Sequence, residues 1–285
     1  MAGLPESWKS WVLENLLQGC DSVEILKILL QNGFTFESAK KVLGSNLPEG
    51  VTCNKDGAFY ARLAKPKLLQ QLDQYDAKVI EDDRVQLIVI DNFLDEQECA
   101  ALIALTKKHL RPSTLPEREG DSYKGFRTSS TCDLPFTKDP LAFDIDQKIV
   151  NALGLGVGER EVIQAQHYAI GQQFKAHYDY FVPGSNDFKT YQNQGGQRSW
   201  TFMIYLNEEC EGGETEFVNL GLKFKPKTGT ALVWNNLYAD GEVNPNTLHQ
   251  AHPITAGEKV VITKWFREDA YQPASASMLA DKPLS

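Results

Sequence analysis

Methionine, cysteine and histidine are scarce in this 285-residue chain, at three, five and five residues, and several longer patterns are missing altogether. No stretch of about 18 apolar residues occurs, which leaves no candidate membrane-spanning helix. The N-terminus, MAGLPESWKSWVLENLL, lacks a basic segment followed by an apolar core, so no secretory leader is expected and the expected compartment is cytoplasmic. There is no long basic run, and 38 acidic residues against 29 basic ones give a formal charge of −9, so a nucleic-acid surface is not expected. Cys20, Cys53, Cys99, Cys132 and Cys210 are odd in number and never form a CxxC pair, which argues against a disulfide framework or a zinc ribbon and suits a reducing compartment. No internal repeat is evident. What remains is 42% hydrophobic and 24% charged, a globular composition with enough length for one large domain and a small one.

Residues 1–46 read as a small helical domain of three short helices. Trp8, Trp11, Val12 and Leu16 recur at helical spacing. Asp21 and Glu24 form a capping-box pattern ahead of Val23, Leu26, Ile28 and Leu29, and Thr35 can cap a third helix through Ala39, Val42 and Leu43. The Gly-, Pro- and Asn-rich segment GSNLPEGVTCNKDG opens a linker over 47–81 that includes a helix over roughly 66 to 75. A larger domain is expected over 82–271, followed by a polar tail, 272–285. It begins with a buried strand in RVQLIVIDNFL and a well-signalled helix in LDEQECAALIALTKKHL, acidic at its start and basic at its end. Residues 111–131 read as a mobile polar loop, and another helix is expected over about 140–153. From 160 onward short strands alternate with turn signals, which indicates an antiparallel sandwich or barrel.

Within this strand-rich half, FKAHYDYF places His177 and Asp179 two residues apart. On a strand, residues i and i+2 project to one side, so these two share a face with Lys175 and Phe181. An imidazole and a carboxylate so placed can fill two neighbouring corners of a metal octahedron, with one more ligand completing the facial triad of non-haem iron oxygenases. A hydrogen-bonded His-x-Asp pair in an ordinary strand has the same sequence. Further on, TLHQAHPITAGEKVVITKWFR offers His249 and, ten residues later, Lys259 at the head of an apolar strand. Lys259, Val261, Thr263 and Trp265 face one way and Val260, Ile262, Lys264 and Phe266 the other, so both faces of that strand should be covered. A lysine heading such a row needs an anionic partner, because an unpaired buried ammonium is costly. A dicarboxylic co-substrate would supply it. His109 and His167 read as structural or solvated residues and Trp234 as core.

The segments DNFLDEQECAALI, RTSS, HYAIGQQFKAHYDYF, GGQRSWTFMIYLN, EGGETEF, KPKTGTALVWNN and LHQAHPITAGEKVVITKWF, in this order over about 84–268, resemble the prolyl 4-hydroxylase-like branch of the iron(II)/2-oxoglutarate-dependent dioxygenases. The resemblance implies a mainly β (α+β) fold, a double-stranded β-helix or jelly-roll with supporting helices. It implies that His177, Asp179 and His249 hold iron(II). It further implies that Lys259 pairs with the far carboxylate of 2-oxoglutarate, that Thr215 and Tyr168 add hydrogen bonds, and that Trp265 packs beside the site. Arg198 would lie at the substrate mouth, and Arg127 on a segment that closes over a peptide. Dioxygen is then the second co-substrate, and ascorbate a candidate reductant.

Two positions depart from the family pattern. Arg267 stands where the family's KWIH has histidine, and HQAHP replaces HAGCP, which introduces His252 as a rival third ligand; its seven-residue separation from Lys259 does not match the family's ten, so His249 is favoured. The expected activity is hydroxylation of a substrate C–H, foremost a prolyl residue in a protein or peptide. Hydroxylation of a free amino acid or small metabolite is the alternative suggested by Arg267. An interaction protein that senses oxygen or 2-oxoglutarate and captures a protein partner through the N-terminal helices is another.

Overall fold

The computed structural model describes residues 4–113, 126–155, 161–191 and 195–270. Its centre is an antiparallel eight-stranded sheet in the order β1 (Asp76–Val79), β2 (Leu87–Asp91), β11 (Ala231–Asn235), β7 (Arg198–Tyr205), β14 (Lys259–Arg267), β5 (Gln164–Tyr168), β4 (Ser130–Asp133) and β3 (Arg111–Pro112). A four-stranded antiparallel sheet holds β10 (Leu222–Phe224), β9 (Thr215–Phe217), β12 (His249–Ala251) and β6 (Phe174–His177), and β13 (Ile254–Gly257) pairs with β8 (Cys210–Gly212).

The period-2 alternation of β14 sorts the core into two layers. Val260, Ile262 and Phe266 point to one side, where they join Phe202 and Ile204 of β7 and Ile88 and Ile90 of β2. That side is covered by Phe59 and Leu63 of α4 (Gly57–Leu63), Leu102 of α6 (Glu96–Lys108), and Ile149 and Leu153 of α7 (Pro140–Leu153). Val261 points to the other side, with Met203 and Tyr205 of β7 and Leu232 and Trp234 of β11. There it meets Phe217 of the small sheet. Every residue of β14 is therefore buried, as a strand apolar on both faces requires. Burying such side chains stabilises each layer by about 1.5–3 kcal/mol per large residue.

Helices α1 (Glu6–Leu17), α2 (Ser22–Gln31) and α3 (Phe36–Leu43) gather around Val12, Ile25, Leu29, Phe34, Phe36 and Leu43. The Asp21 carboxylate accepts from Val23 and Glu24 backbone N–H groups at the start of α2, and the Thr35 hydroxyl caps α3. These helices also touch the larger body. The Gly184 N–H donates to the Asn32 carbonyl at 2.7 Å, Gly33 lies against the ring of Phe188 in α8 (Asn186–Tyr191), and the Thr35 hydroxyl donates to Glu242 at 2.6 Å. The N-terminal helices thus brace the chain just beyond the His177–Asp179 segment.

Local expectations fail in three places. The helix over 66 to 75 shrinks to α5 (Lys67–Gln70) and a single 3-10 turn, because Gln71 leaves the helical region at φ −131°. The following residues form β1, which pairs along β2. The polar 111–131 segment contributes β3 at one end and the first two residues of β4 at the other, while residues 114–125 of the expected loop lie outside the described residues. Among the described residues no helix is long and apolar enough to cross a membrane.

Candidate metal and co-substrate site

Across the β6–β12 pair, His249 lies opposite His177, which sets the two imidazoles side by side with ring centroids 4.3 Å apart. Asp179 is not on the same regular strand, contrary to the i, i+2 expectation. β6 ends at His177, and the chain bends so that the Asp179 carbonyl accepts from Arg198 Nη1 at 3.2 Å and the Phe181 N–H donates to Gln197 Oε1 at 2.7 Å. Even so, one donor atom from each of His177, Asp179 and His249 lies within 4.8 Å of the others. His252 is elsewhere, 2.6 Å from Glu216.

The tautomers follow from the backbone. His177 Nδ1 donates to the Lys175 carbonyl at 2.8 Å, and His249 Nδ1 to the Thr247 carbonyl at 2.9 Å. Each ring therefore presents the lone pair of Nε2, and both Nε2 atoms lie 3.9 Å from the same oxygen, Asp179 Oδ1. That is too long for a hydrogen bond. Burial, reinforced by His249 beside it, pushes His177 down to about 3 against the pull of Asp179, so its imidazole is a neutral donor at physiological pH. Burial also works to raise the Asp179 carboxyl, but His249, His177, Arg198 and the Thr201 hydroxyl together hold it below the usual range. Two imidazole Nε2 atoms and one carboxylate that converge on a common point suit iron(II).

The other carboxylate oxygen is held by a directed chain. The Trp234 indole can only donate, and does so to Asn236 Oδ1 at 2.9 Å. The Asn236 amide donates to Thr201 Oγ1 at 2.9 Å, and the Thr201 hydroxyl donates to Asp179 Oδ2 at 2.8 Å. The Trp234 ring also meets His249 edge-on at 5.0 Å. One buried tryptophan thus orients two of the three groups, a role beyond the core packing expected of it. Thr201 and Asn236 carry no signal in the sequence, since both depend on the lateral contact of β7 with β11.

The second part of the site is built by the β14–β5 register, in which Lys259 faces Tyr168. Lys259 is 1% exposed. Its Nζ donates to the Gly213 carbonyl at 2.7 Å and sits 4.7 Å from the centre of the Tyr168 ring. Among the described residues no carboxylate pairs with it, and burial pushes it down to about 8. Tyr205, which sequence reading passed over, donates its hydroxyl to Thr215 Oγ1 at 2.7 Å, while the Tyr168 hydroxyl donates to Gln166. Among the described residues this is a buried cation bonded to a carbonyl and paired with no carboxylate, a receptor for one.

Arginines border the triad. Arg198 lies 4.3 Å over Trp265, whose own indole N–H is buried without a partner among the described residues, and forms a two-pronged ion pair with Glu161. Arg127 lies 5.0 Å over Phe174, and Phe174 stacks on His177 at 3.5 Å. Arg267 is 2% exposed and pairs with the same Glu161, Nε to Oε1 at 2.8 Å, so its guanidinium is withdrawn from any substrate.

Residues 163–267 match the profile of the 2OG-Fe(II) oxygenase superfamily. A probable prolyl 4-hydroxylase of Arabidopsis thaliana, numbered 3, is 34% identical over 205 residues, covering 65% of this chain and 70% of the relative. The prolyl 4-hydroxylase subunit alpha-1 of Rattus norvegicus is 31% identical over 189 residues, 65% of this chain and 35% of its own. Among solved structures, a viral collagen prolyl hydroxylase from Paramecium Bursaria Chlorella virus-1, in a 2-oxoglutarate complex, aligns at 28% identity over 64% of this chain and 94% of that one, with a TM-score of 0.49. The protein is a 2-oxoglutarate-dependent dioxygenase. Within that class it belongs to the prolyl 4-hydroxylase family.

If the Trp234–Asn236–Thr201 chain holds Asp179 in place, Thr201→Val and Asn236→Leu each weaken divalent-metal binding by about 10- to 100-fold, while Thr201→Ser restores it. Manganese(II) titration followed by electron paramagnetic resonance measures this without turnover. Unchanged affinity in folded Thr201→Val protein would remove the role.

Proposed function

We propose that this enzyme hydroxylates a prolyl residue of a protein or peptide, with iron(II) held by His177, Asp179 and His249. The observation that carries the reading is the convergence of those three donors, together with a buried lysine that pairs with no carboxylate among the described residues. The two packed sheets serve as a jelly-roll whose small sheet carries both histidines. The family relationship supports the prolyl substrate, since the relatives are named as prolyl 4-hydroxylases.

Iron(II), when bound, couples oxidative decarboxylation of 2-oxoglutarate by dioxygen to oxygen insertion into a C–H bond, giving succinate, carbon dioxide and the alcohol. The chain's residues do the rest. Lys259 pairs with the far carboxylate of 2-oxoglutarate; the Thr215 hydroxyl, which accepts from Tyr205, donates to it, and the Tyr168 hydroxyl joins by turning its proton from Gln166. Trp265 and Phe174 wall the site with apolar rings, which excludes water from the reacting centre. Arg198 and Arg127 receive the substrate. Ascorbate acts as the reductant that keeps the metal in the iron(II) state.

Incubation with iron(II), 2-oxoglutarate, ascorbate and a set of proline-containing peptides, followed by mass spectrometry, is expected to show a gain of one oxygen on proline, matched by succinate. Oxygen gained only by free amino acids or other metabolites would overturn the prolyl assignment. A second expectation concerns Lys259. Near pH 8.5 the free site holds it largely neutral, and the arriving dicarboxylate favours the ammonium, so 2-oxoglutarate binding takes up a proton and weakens as pH rises above about 8. Anaerobic calorimetry in two buffers of different ionisation enthalpy reads that proton. Heats independent of the buffer would contradict the pairing.

A further inference from the structure

Two guanidiniums beside the site, those of Arg198 and Arg267, share one carboxylate, and a third, Arg127, lies over the Phe174 ring that stacks on His177. Glu161 receives Arg198 through both oxygens and also Arg267 Nε at 2.8 Å. Among the described residues Arg127 donates to neutral oxygens, Nε to the Ser129 hydroxyl at 3.2 Å and Nη2 to Gln164 Oε1 at 2.8 Å. Other acids among the described residues have cationic partners. Asp133 pairs with Arg111 and accepts from Gln164, while Glu268 and Asp269 both hold Lys55, with Glu268 also accepting from Tyr60. Burial lowers the proton affinity of Arg127 and of Arg267, against the pull of Asp179 on the first and of Glu161, Glu268 and Asp269 on the second.

Loading the site does not correct the imbalance. Iron(II) and Lys259 bring three positive charges, and Asp179 with the two carboxylates of 2-oxoglutarate bring three negative ones, the metal-bound imidazoles being neutral. The metal centre is therefore self-balanced, and among the described residues Arg127, Arg198, Arg267, Arg111 and Lys55 face Glu161, Asp133, Glu268 and Asp269, which leaves a surplus of one positive charge. Arg267 is central to that surplus. It is a permanent cation, 3% exposed in its side chain, that shares the Glu161 carboxylate with Arg198.

We propose that the substrate carries an acidic side chain, Asp or Glu, within one or two residues of the prolyl target, and that Arg127 and Arg198 receive its carboxylate. Arg267 acts as a positioning residue, sharing Glu161 with Arg198 so that one carboxylate serves two guanidiniums. The arrangement selects through charge, because a carboxylate matches the planar fork of a guanidinium while a lysine beside the target would add to the surplus. This inference rests on the prolyl-peptide reading for the reacting residue, but the charge preference is independent of turnover.

The test uses three capped, fluorescently labelled peptides identical except for the residue next to proline, Asp, Asn or Lys. Binding is measured by anisotropy without oxygen, in the presence of iron(II) and 2-oxoglutarate, and hydroxylation by mass spectrometry with oxygen. The full-length protein is expected to bind the Asp peptide about ten- to hundredfold more tightly than the Asn peptide, and the Lys peptide most weakly. The preference should shrink as salt is raised. Arg267→His should reduce the Asp-to-Asn ratio several-fold, with Arg267→Gln as the uncharged control. The anaerobic iron(II) and 2-oxoglutarate absorption band reports that each variant is folded and loaded. An Asn peptide bound as well as the Asp peptide, or no binding of either, would overturn the proposal, and an unchanged ratio in both variants would remove the role given to Arg267. If the Asp peptide is preferred but no proline is oxidised, the charge preference stands and the prolyl reading fails.

Discussion

The pairing of β6 with β12 that sets His177 opposite His249 is the constraint on which the rest of the site depends. Backbone carbonyls two residues earlier in each chain segment fix both rings in one tautomer, so two lone pairs point toward one oxygen of Asp179 before any metal arrives. The cost of bringing donors together is met during folding, by sheet pairing and a buried core, and not at the moment of binding. The same logic explains why β6 is short. The chain must leave the sheet after His177 for Asp179 to turn in, and the backbone groups freed by that departure are taken up by Arg198 and Gln197.

Each layer of the fold then contributes one part of the site. β14 is buried on both faces, with its helix-facing residues anchoring the strand and its opposite row carrying Lys259 at one end and Trp265 at the other. β7 supplies Thr201 to Asp179 and Arg198 to the mouth. β11 contributes Trp234, and the chain just past its end contributes Asn236, the start of the directed chain of donors. The N-terminal helices brace the turn and short helix that follow Phe181, through Asn32, Gly33 and Thr35. They therefore bear on the substrate wall, whatever else their exposed faces do.

Much of this was legible in the residues. The alternating apolar pattern of 259–267, the acidic and basic ends of 96–108 and the cap residues Asp21 and Thr35 all act locally, and local physics is what a single sequence displays. The His177, Asp179, His249 and Lys259 set was visible because these residue types are conspicuous among apolar neighbours. What could not be read depends on lateral pairing. Strand β1 lacks a strong β-branched signal and exists because β2 offers it an edge. Thr201, Asn236 and Tyr205 look like ordinary residues until β7 is placed beside β11 and across from β9. Glu161 lies sixteen residues from His177 and gains its meaning only when two arginines close on it.

The central claim is that the three converging donors and Lys259 form one site for iron(II) and 2-oxoglutarate. Anaerobic titration of the protein with both, followed by visible absorption with His249→Ala alongside, tests it most directly. The account predicts a weak metal-to-ligand charge-transfer band that appears only when both are present and is lost in the variant. A folded protein that gives no band, or a His249→Ala variant that keeps it, would contradict the account.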